Sequence, residues 1–303
     1  MSEESVNFAE HESNGLRLRL AGPPPDLAPY LSGYYRTEVA QGTTIEDWLP
    51  PEEANVRTGT AEIYEASIGE FPLATVPPAV LSGPTDKVTH LRIRNGKFWG
   101  IGFTPAGWAR FIRIPASTMA NRFSNIGETP ADRSLADLLE SLREDGDDLP
   151  NAVGRINATL RQLMGARPAN ESTIHAVHMS TLSPEATSVP PIAAMAGMST
   201  RTFERFCKRH FGFTGGVLLR RQRFLRSLGK YMLDPSMRWI SALDTHYADQ
   251  AHFIRDFRAA MNMTPSDYAA LAHPLVGAAV SVTNMGGGVA HQALYKPAGV
   301  PDR

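Results

Sequence analysis

A single cysteine, Cys207, stands in 303 residues. With no second thiol there is no intramolecular disulfide framework and no multi-cysteine zinc cluster, and the composition suits a reducing compartment. No apolar run approaches the roughly 18 residues needed to cross a bilayer. The chain also lacks G-x-S-x-G, a P-loop, H-E-x-x-H and a Rossmann fingerprint, and the Gly286-Gly287-Gly288 triplet has no strand and helix around it to make a phosphate cradle. The first fifteen residues are acidic and polar, without the basic and then apolar order of a secretory signal. These absences lead us to expect a cytoplasmic protein that is not an enzyme, needs no cofactor or metal, and enters no membrane.

What is present is globular: 42% of residues are apolar and 20% charged, enough for two ordinary domains with full cores. The net charge of -1 conceals a division. Residues 1–198 carry 24 acidic and 16 basic side chains, whereas residues 199–273 carry 12 basic and 6 acidic. A local surplus of Lys and Arg is the footprint of a polyanion binder, and the acidic front half is a poor nucleic-acid surface.

Period-2 alternation marks the front half. Leu16, Leu18 and Leu20 alternate with Arg17 and Arg19, and Tyr64, Ala66 and Ile68 share one face. The first fifteen residues read as a loose terminus. Asn95-Gly96 between two strand-like runs predicts a tight hairpin with Ile93 across from Phe98. A short helix is expected over Gly107 to Ile112. Beyond Pro130 the period becomes helical: Leu135, Leu138, Leu139 and Leu142 form one stripe, Val153, Ile156, Leu160 and Leu163 another. These stripes pack on their own domain or on a second copy of the chain. The expected class is α+β: a β-rich barrel or sandwich over residues 1–130, a helical connector over 131–168, an all-α double helix-turn-helix over 169–273, and a Gly-rich tail without a core of its own over 274–303.

The segments Gly197–Phe211 and Tyr247–Met261 match when offset by fifty residue numbers: Phe203 with Phe253, Arg205 with Arg255, Cys207 with Phe257, Phe211 with Met261, Thr214 with Thr264. Each copy is a short apolar helix, a turn, and a helix with one apolar and one basic or polar face, the layout of a helix-turn-helix. Gly197 permits the turn in the first copy, and Ser199 and Asp249 are placed to cap the helices that follow. Thr200, Arg201, Glu204, Arg205 and Lys208 lie outside in the first copy, and Gln250, Ala251, Ile254, Arg255 and Arg258 in the second. Arg pairs with guanine edges, Gln with adenine, Ala with the thymine methyl, and Lys or Arg with phosphates.

Gly197-Met-Ser-Thr-Arg-Thr-Phe-Glu-Arg205, followed by Tyr247-Ala-Asp-Gln-Ala-His-Phe-Ile-Arg-Asp-Phe257 and Met263-Thr-Pro-Ser-Asp-Tyr268, resembles the AraC-type double helix-turn-helix of bacterial transcription regulators. The resemblance runs from near Asn170 to His273. It implies a seven-helix unit whose two recognition helices, joined by a long helix, enter adjacent major-groove faces of double-stranded DNA. The base-contacting positions it implies are Arg201, Glu204 and Arg205, then Gln250, Ala251 and Arg255; Lys208, Arg209 and Arg258 are placed for phosphates. This chain departs from the pattern at His246, where glycine is usual, and at Glu204, where a polar or basic reader is common.

Other residues admit two readings each. Cys207 sits at an apolar position, which favours packing over redox sensing. Glu171, His175 and His178 have metal-ligand spacing on a helix but no further ligands. Trp48, Tyr64, Trp99 and Trp108 are core side chains or the lining of a pocket for an unidentified small-molecule effector. A homodimer stays open, as does the alternative of an enzyme or protein-interaction module in the N-terminal half with DNA binding as its targeting function.

Overall fold

The computed structural model describes residues 8–284 apart from 132, 145–147 and 235–238. It is α+β: an antiparallel sheet precedes a set of helices. The strands are β1 (Ala9–Ser13), β2 (Leu16–Ala21), β3 (Leu31–Leu49), β4 (Asn55–Ile68), β5 (Ala74–Thr75), β6 (Ala79–Ser82), β7 (Thr89–Phe103) and β8 (Phe123–Asn125). Their order is β1-β2-β3-β7-β4-β6-β8, with β5 on β4.

The Asn95-Gly96 hairpin does not form. β7 runs straight through that dipeptide, paired with β3 on one side and β4 on the other. Asn95 takes its positive φ of 44° within the strand, and the extra residues lie opposite it on β3, between Val39 and Thr44. The apolar pattern carries the reason: Leu91 and Ile93 are odd-numbered and Phe98 even, yet all three join one apolar cluster. The register with β4 runs on unbroken, so the left-handed Asn95 itself turns the pleat over and puts Leu91, Ile93 and Phe98 on one face. The tight turn lies at Asn14-Gly15, both with positive φ, between β1 and β2. Part of the supposedly loose terminus is therefore a paired strand.

Each face of the sheet has its own cover. Pro105–Gly107 (α1) leads into a π-helical turn, Trp108–Ile112, where a short helix was expected. Together with α2 (Arg133–Glu144) and α3 (Leu149–Leu163) it buries Trp99, Ile101 and Phe103. Leu135, Leu139, Leu142, Val153, Ile156 and Leu160 all lie in this core, so both stripes pack at home. The opposite face, lined by Leu18, Leu20, Ile93 and Phe98, is covered by α11 (Pro274–Asn284) through Val276, Ala279 and Val282. The expected tail without a core thus begins as a helix inside one, because Leu275–Val282 is apolar enough to replace water on the open side of the sheet. The glycine triplet lies outside the described residues.

Between these layers of the front domain and α11 come α4 (Glu171–Leu182), α5 (Val189–Met195), α6 (Thr200–Phe211), α7 (Gly215–Leu233), α8 (Trp239–Ala242), α9 (Gln250–Met261) and α10 (Pro265–Ala269). No described helix is long and apolar enough to cross a membrane.

The loop from Gly83 to Val88, between β6 and β7, is seated by close backbone contact. A Cβ on Gly83 would stand 2.1 Å from the Met119 carbonyl oxygen. Gly83→Ala is accordingly expected to force the loop outward and cost about 1–3 kcal/mol of stability, read as a lowered urea midpoint with an unchanged slope.

Candidate nucleic-acid interface

In the first motif the chain turns at Gly197, whose φ is 66°. Ser199 Oγ accepts from Thr202 N at 3.3 Å and starts α6. Phe203, Cys207 and Phe211 then enter a core with Ile174, Val177, Ile192 and Leu218. Burial pushes the Cys207 thiol up to about 12, so it stays protonated and behaves as a packing group. Gly212 closes the helix at φ 85°, and Thr214 caps α7.

The second motif repeats these devices fifty residues on. Asp249 Oδ1 accepts from His252 N at 2.6 Å, Phe253, Phe257 and Met261 are buried, and Asn262 closes α9 at φ 56°. Thr264 and Asp267 form a reciprocal capping box on α10. Duplication therefore extends to the caps and stops as well as the apolar faces. The turns differ. His246 does not adopt the left-handed conformation of Gly197. Its backbone N–H donates to Asp244 Oδ1 at 3.0 Å, and its Nδ1 lies 2.9 Å from the same oxygen. Arg226 Nε donates to Asp244 Oδ2 at 2.5 Å, and Asp244 N donates to Ser227 Oγ at 2.8 Å. A carboxylate bound to α7 shapes this turn in place of a glycine.

The basic surplus divides into an inner and an outer part. Arg221 is buried and donates to the Thr85 carbonyl at 3.1 Å. Arg223 donates to Asp256 Oδ2 at 2.7 Å and lies over the Tyr247 ring, tying α7 to α9. With Arg226 on Asp244, these three arginines are structural. Arg201, Arg205, Lys208 and Arg209 on α6 are exposed, as are Gln250, Ala251, Arg255 and Arg258 on α9. Arg201, Arg205, Lys208 and Arg255 hold no ion pair or hydrogen bond among the described residues. Glu204 is turned inward: its Oε2 accepts from Gly215 N at 2.8 Å, at the start of α7. Its sequence position suggested a base contact; its carboxylate instead satisfies a donor that every helix start leaves open.

One loop of the front domain touches both motifs, which no local sequence signal could reveal. Pro84 packs against Gly212 at the end of α6, and the Thr85 carbonyl takes Arg221 of α7. Lys87 Nζ donates to the Ala259 carbonyl at 2.5 Å and Val88 N to the Ala260 carbonyl at 2.7 Å, at the end of α9. The C-terminal ends of both candidate readers rest on Gly83–Val88, leaving their N-terminal halves outward.

The other candidates have different partners. Glu171 accepts from Tyr30, Arg110 and Arg167 at 2.9, 3.0 and 2.7 Å, and His178 Nε2 lies 2.6 Å from Glu53 Oε1, so both join the helical half to the front domain. Trp99 and Trp108 are core, Trp48 stacks on His90, and Tyr64 borders a cavity described below.

Residues 192–270 match the helix-turn-helix domain family. This segment is an AraC-type double helix-turn-helix. No curated protein matches the chain. Among solved structures, ToxT from Vibrio cholerae is similar at 11% identity over 78% of this chain and 96% of that chain, with a TM-score of 0.39. Wild-type ToxT from Vibrio cholerae strain SCE256, bound to unsaturated fatty acid, matches at 9% identity over 77% and 93%, with a TM-score of 0.38. The AraC-like transcriptional activator CuxR matches at 13% identity over 73% and 85%, with a TM-score of 0.30. Likeness this distant carries no functional argument.

The Asp244 node predicts an acid sensitivity. Burial opposes the charge on Asp244, but Arg226 and the His246 backbone N–H outweigh it and hold the carboxyl below its ordinary value of 3.8. Its contribution is present above that value and lost as pH falls through the lower, folded one. Stability measured by urea unfolding between about pH 5 and pH 2 should fall less steeply in Asp244→Asn than in the unaltered chain; parallel curves would contradict the assignment.

Proposed function

We propose that the protein is a sequence-specific DNA-binding transcription regulator that reads DNA with α6 and α9. One observation carries this: two helices with duplicated caps and cores present exposed basic groups without a side-chain partner among the described residues, Arg201, Arg205 and Lys208 on α6 and Arg255 on α9. Such groups on two helices held by a common third helix match successive major-groove faces, where counterion release supplies affinity and base edges supply specificity. Arg201, Arg205, Gln250, Ala251 and Arg255 are the reading set, and Lys208, Arg209 and Arg258 bind phosphate. Glu204 serves as a positioning residue that sets α6 against α7.

The front domain supplies control in this reading. Its sheet borders a small apolar cavity lined by Leu18, Leu20 and Phe98, with Tyr35 and Arg57 as polar wall, a lining of the kind that receives a small-molecule effector. Contacts lead from it to the readers: Arg57 Nη2 donates to Glu52 at 2.8 Å, Glu52 N donates to Thr85 Oγ1 at 2.8 Å, and the Thr85 carbonyl accepts from Arg221.

Selection of sites from random duplex DNA, followed by titration at fixed salt, tests the reading. Arg205→Ala and Arg255→Ala should each cost about 1–3 kcal/mol and relax preference at one position, while Lys208→Ala weakens all duplexes alike and flattens the salt dependence. Unchanged affinity after either arginine substitution would remove that helix from the interface.

A further inference from the structure

The cover of the sheet's open face is held by one buried carboxylate. Asp47, on β3, is 0% exposed. Its Oδ2 accepts from the backbone N–H groups of Leu275 at 2.8 Å and Val276 at 3.0 Å, donors that the first turn of α11 cannot satisfy internally. Its Oδ1 lies 3.2 Å from His273 Nδ1. The His273 ring stacks on Tyr268 of α10, with centroids 3.9 Å apart. A chain of contacts therefore runs from the sheet, through the start of α11, into the second helix-turn-helix.

The space beneath α11 is too small for the role its lining suggests. The cavity, with Leu275 in its wall, amounts to about 60 Å³. That holds a few waters, whereas small-molecule pockets occupy roughly 300–1,000 Å³. The missing volume is filled by α11 itself, whose Val276, Ala279 and Val282 join Leu18 and Leu20 in one apolar cluster. Gly277, Ala278 and Ala279 in succession leave α11 little side-chain volume to bury, and Asp47 is the side chain capping its first turn.

We infer that α11 is an internal lid that competes with an apolar small molecule for the inner face of the sheet, and that its departure loosens α9 and α10 from the front domain. The molecule it excludes has an apolar body for Leu18, Leu20 and Phe98 and a hydrogen-bonding head for Tyr35 and Arg57. Because α11 continues directly from the second motif, ligand and DNA act on one equilibrium, each shifting the other through its preference for lid-on or lid-off protein. The regulatory half of this inference rests on the DNA-binding reading above; the competition between lid and ligand does not.

The test uses 1-anilinonaphthalene-8-sulfonate, an apolar probe with one polar head, on the full chain. Asp47→Ala removes the cap and should tighten saturable probe binding by roughly five- to ten-fold. In the unaltered protein, probe binding should accelerate hydrogen exchange of the amides from Leu275 to Val282 while those of β7 stay protected. Probe binding without that acceleration overturns the lid, as does an Asp47→Ala variant with native circular dichroism and unchanged probe affinity. Should the variant not fold, exchange in the unaltered protein decides alone. Neither measurement involves DNA, so their failure leaves the regulator reading standing. For the coupling, a selected duplex titrated with and without saturating probe should change in dissociation constant by at least about five-fold; equal constants overturn it.

Discussion

Both candidate readers are referred to one rod. The helix α7 spans 19 residues and buries its first turns with one motif and its later turns with the other: Leu218 and Leu219 lie with Phe203 and Phe211, Phe224 and Leu228 with Phe253 and Phe257. At a rise of about 1.5 Å per residue it is roughly 28 Å long, close to the turn of roughly 34 Å that separates successive major-groove faces. Polar side chains reinforce the arrangement: Glu204 closes its start, and Arg223 and Arg226 bind Asp256 and Asp244. Removing a partner from such a buried pair strands the other charge, which makes the geometry stiff even where the pairs add little net stability.

The front domain acts on this rod at its flanks. Gly83–Val88 meets the ends of α6 and α9, and Glu171 and His178 anchor α4 to the same domain. The sheet is thus joined to both motifs by short, direct contacts. The return of the chain as α11 adds a second attachment, so the second motif is held to the sheet from two sides.

Legibility in the sequence varied with the range of the determining contacts. The double motif was legible because its pattern is local and stated twice: apolar residues at helical spacing, a cap before each helix and a stop after it. Period-2 alternation likewise announced a β-rich front half. Asn95-Gly96 misled because a positive φ serves a turn or an irregularity inside a strand, and the choice belongs to the neighbours. With β3 and β4 pairing along the whole of β7, the strand had to continue. Asn14-Gly15, with β1 as a short partner for β2, was free to turn. Among the basic residues, composition counted Arg221, Arg223 and Arg226 with the surface, and only the partners opposite them bury the first and half-bury the other two.

By itself the sequence determined the duplicated helical unit, its inner faces and its caps, since backbone hydrogen bonds and helical periodicity act within a few residues. The tertiary structure alone decided which polar side chains face outward, that Glu204 turns to α7, that His246 is shaped by Asp244, and that the apolar stretch after Pro274 closes the sheet. Each of these joins groups distant in sequence, where burial and the need to satisfy every buried donor select the partner and no local pattern records the choice.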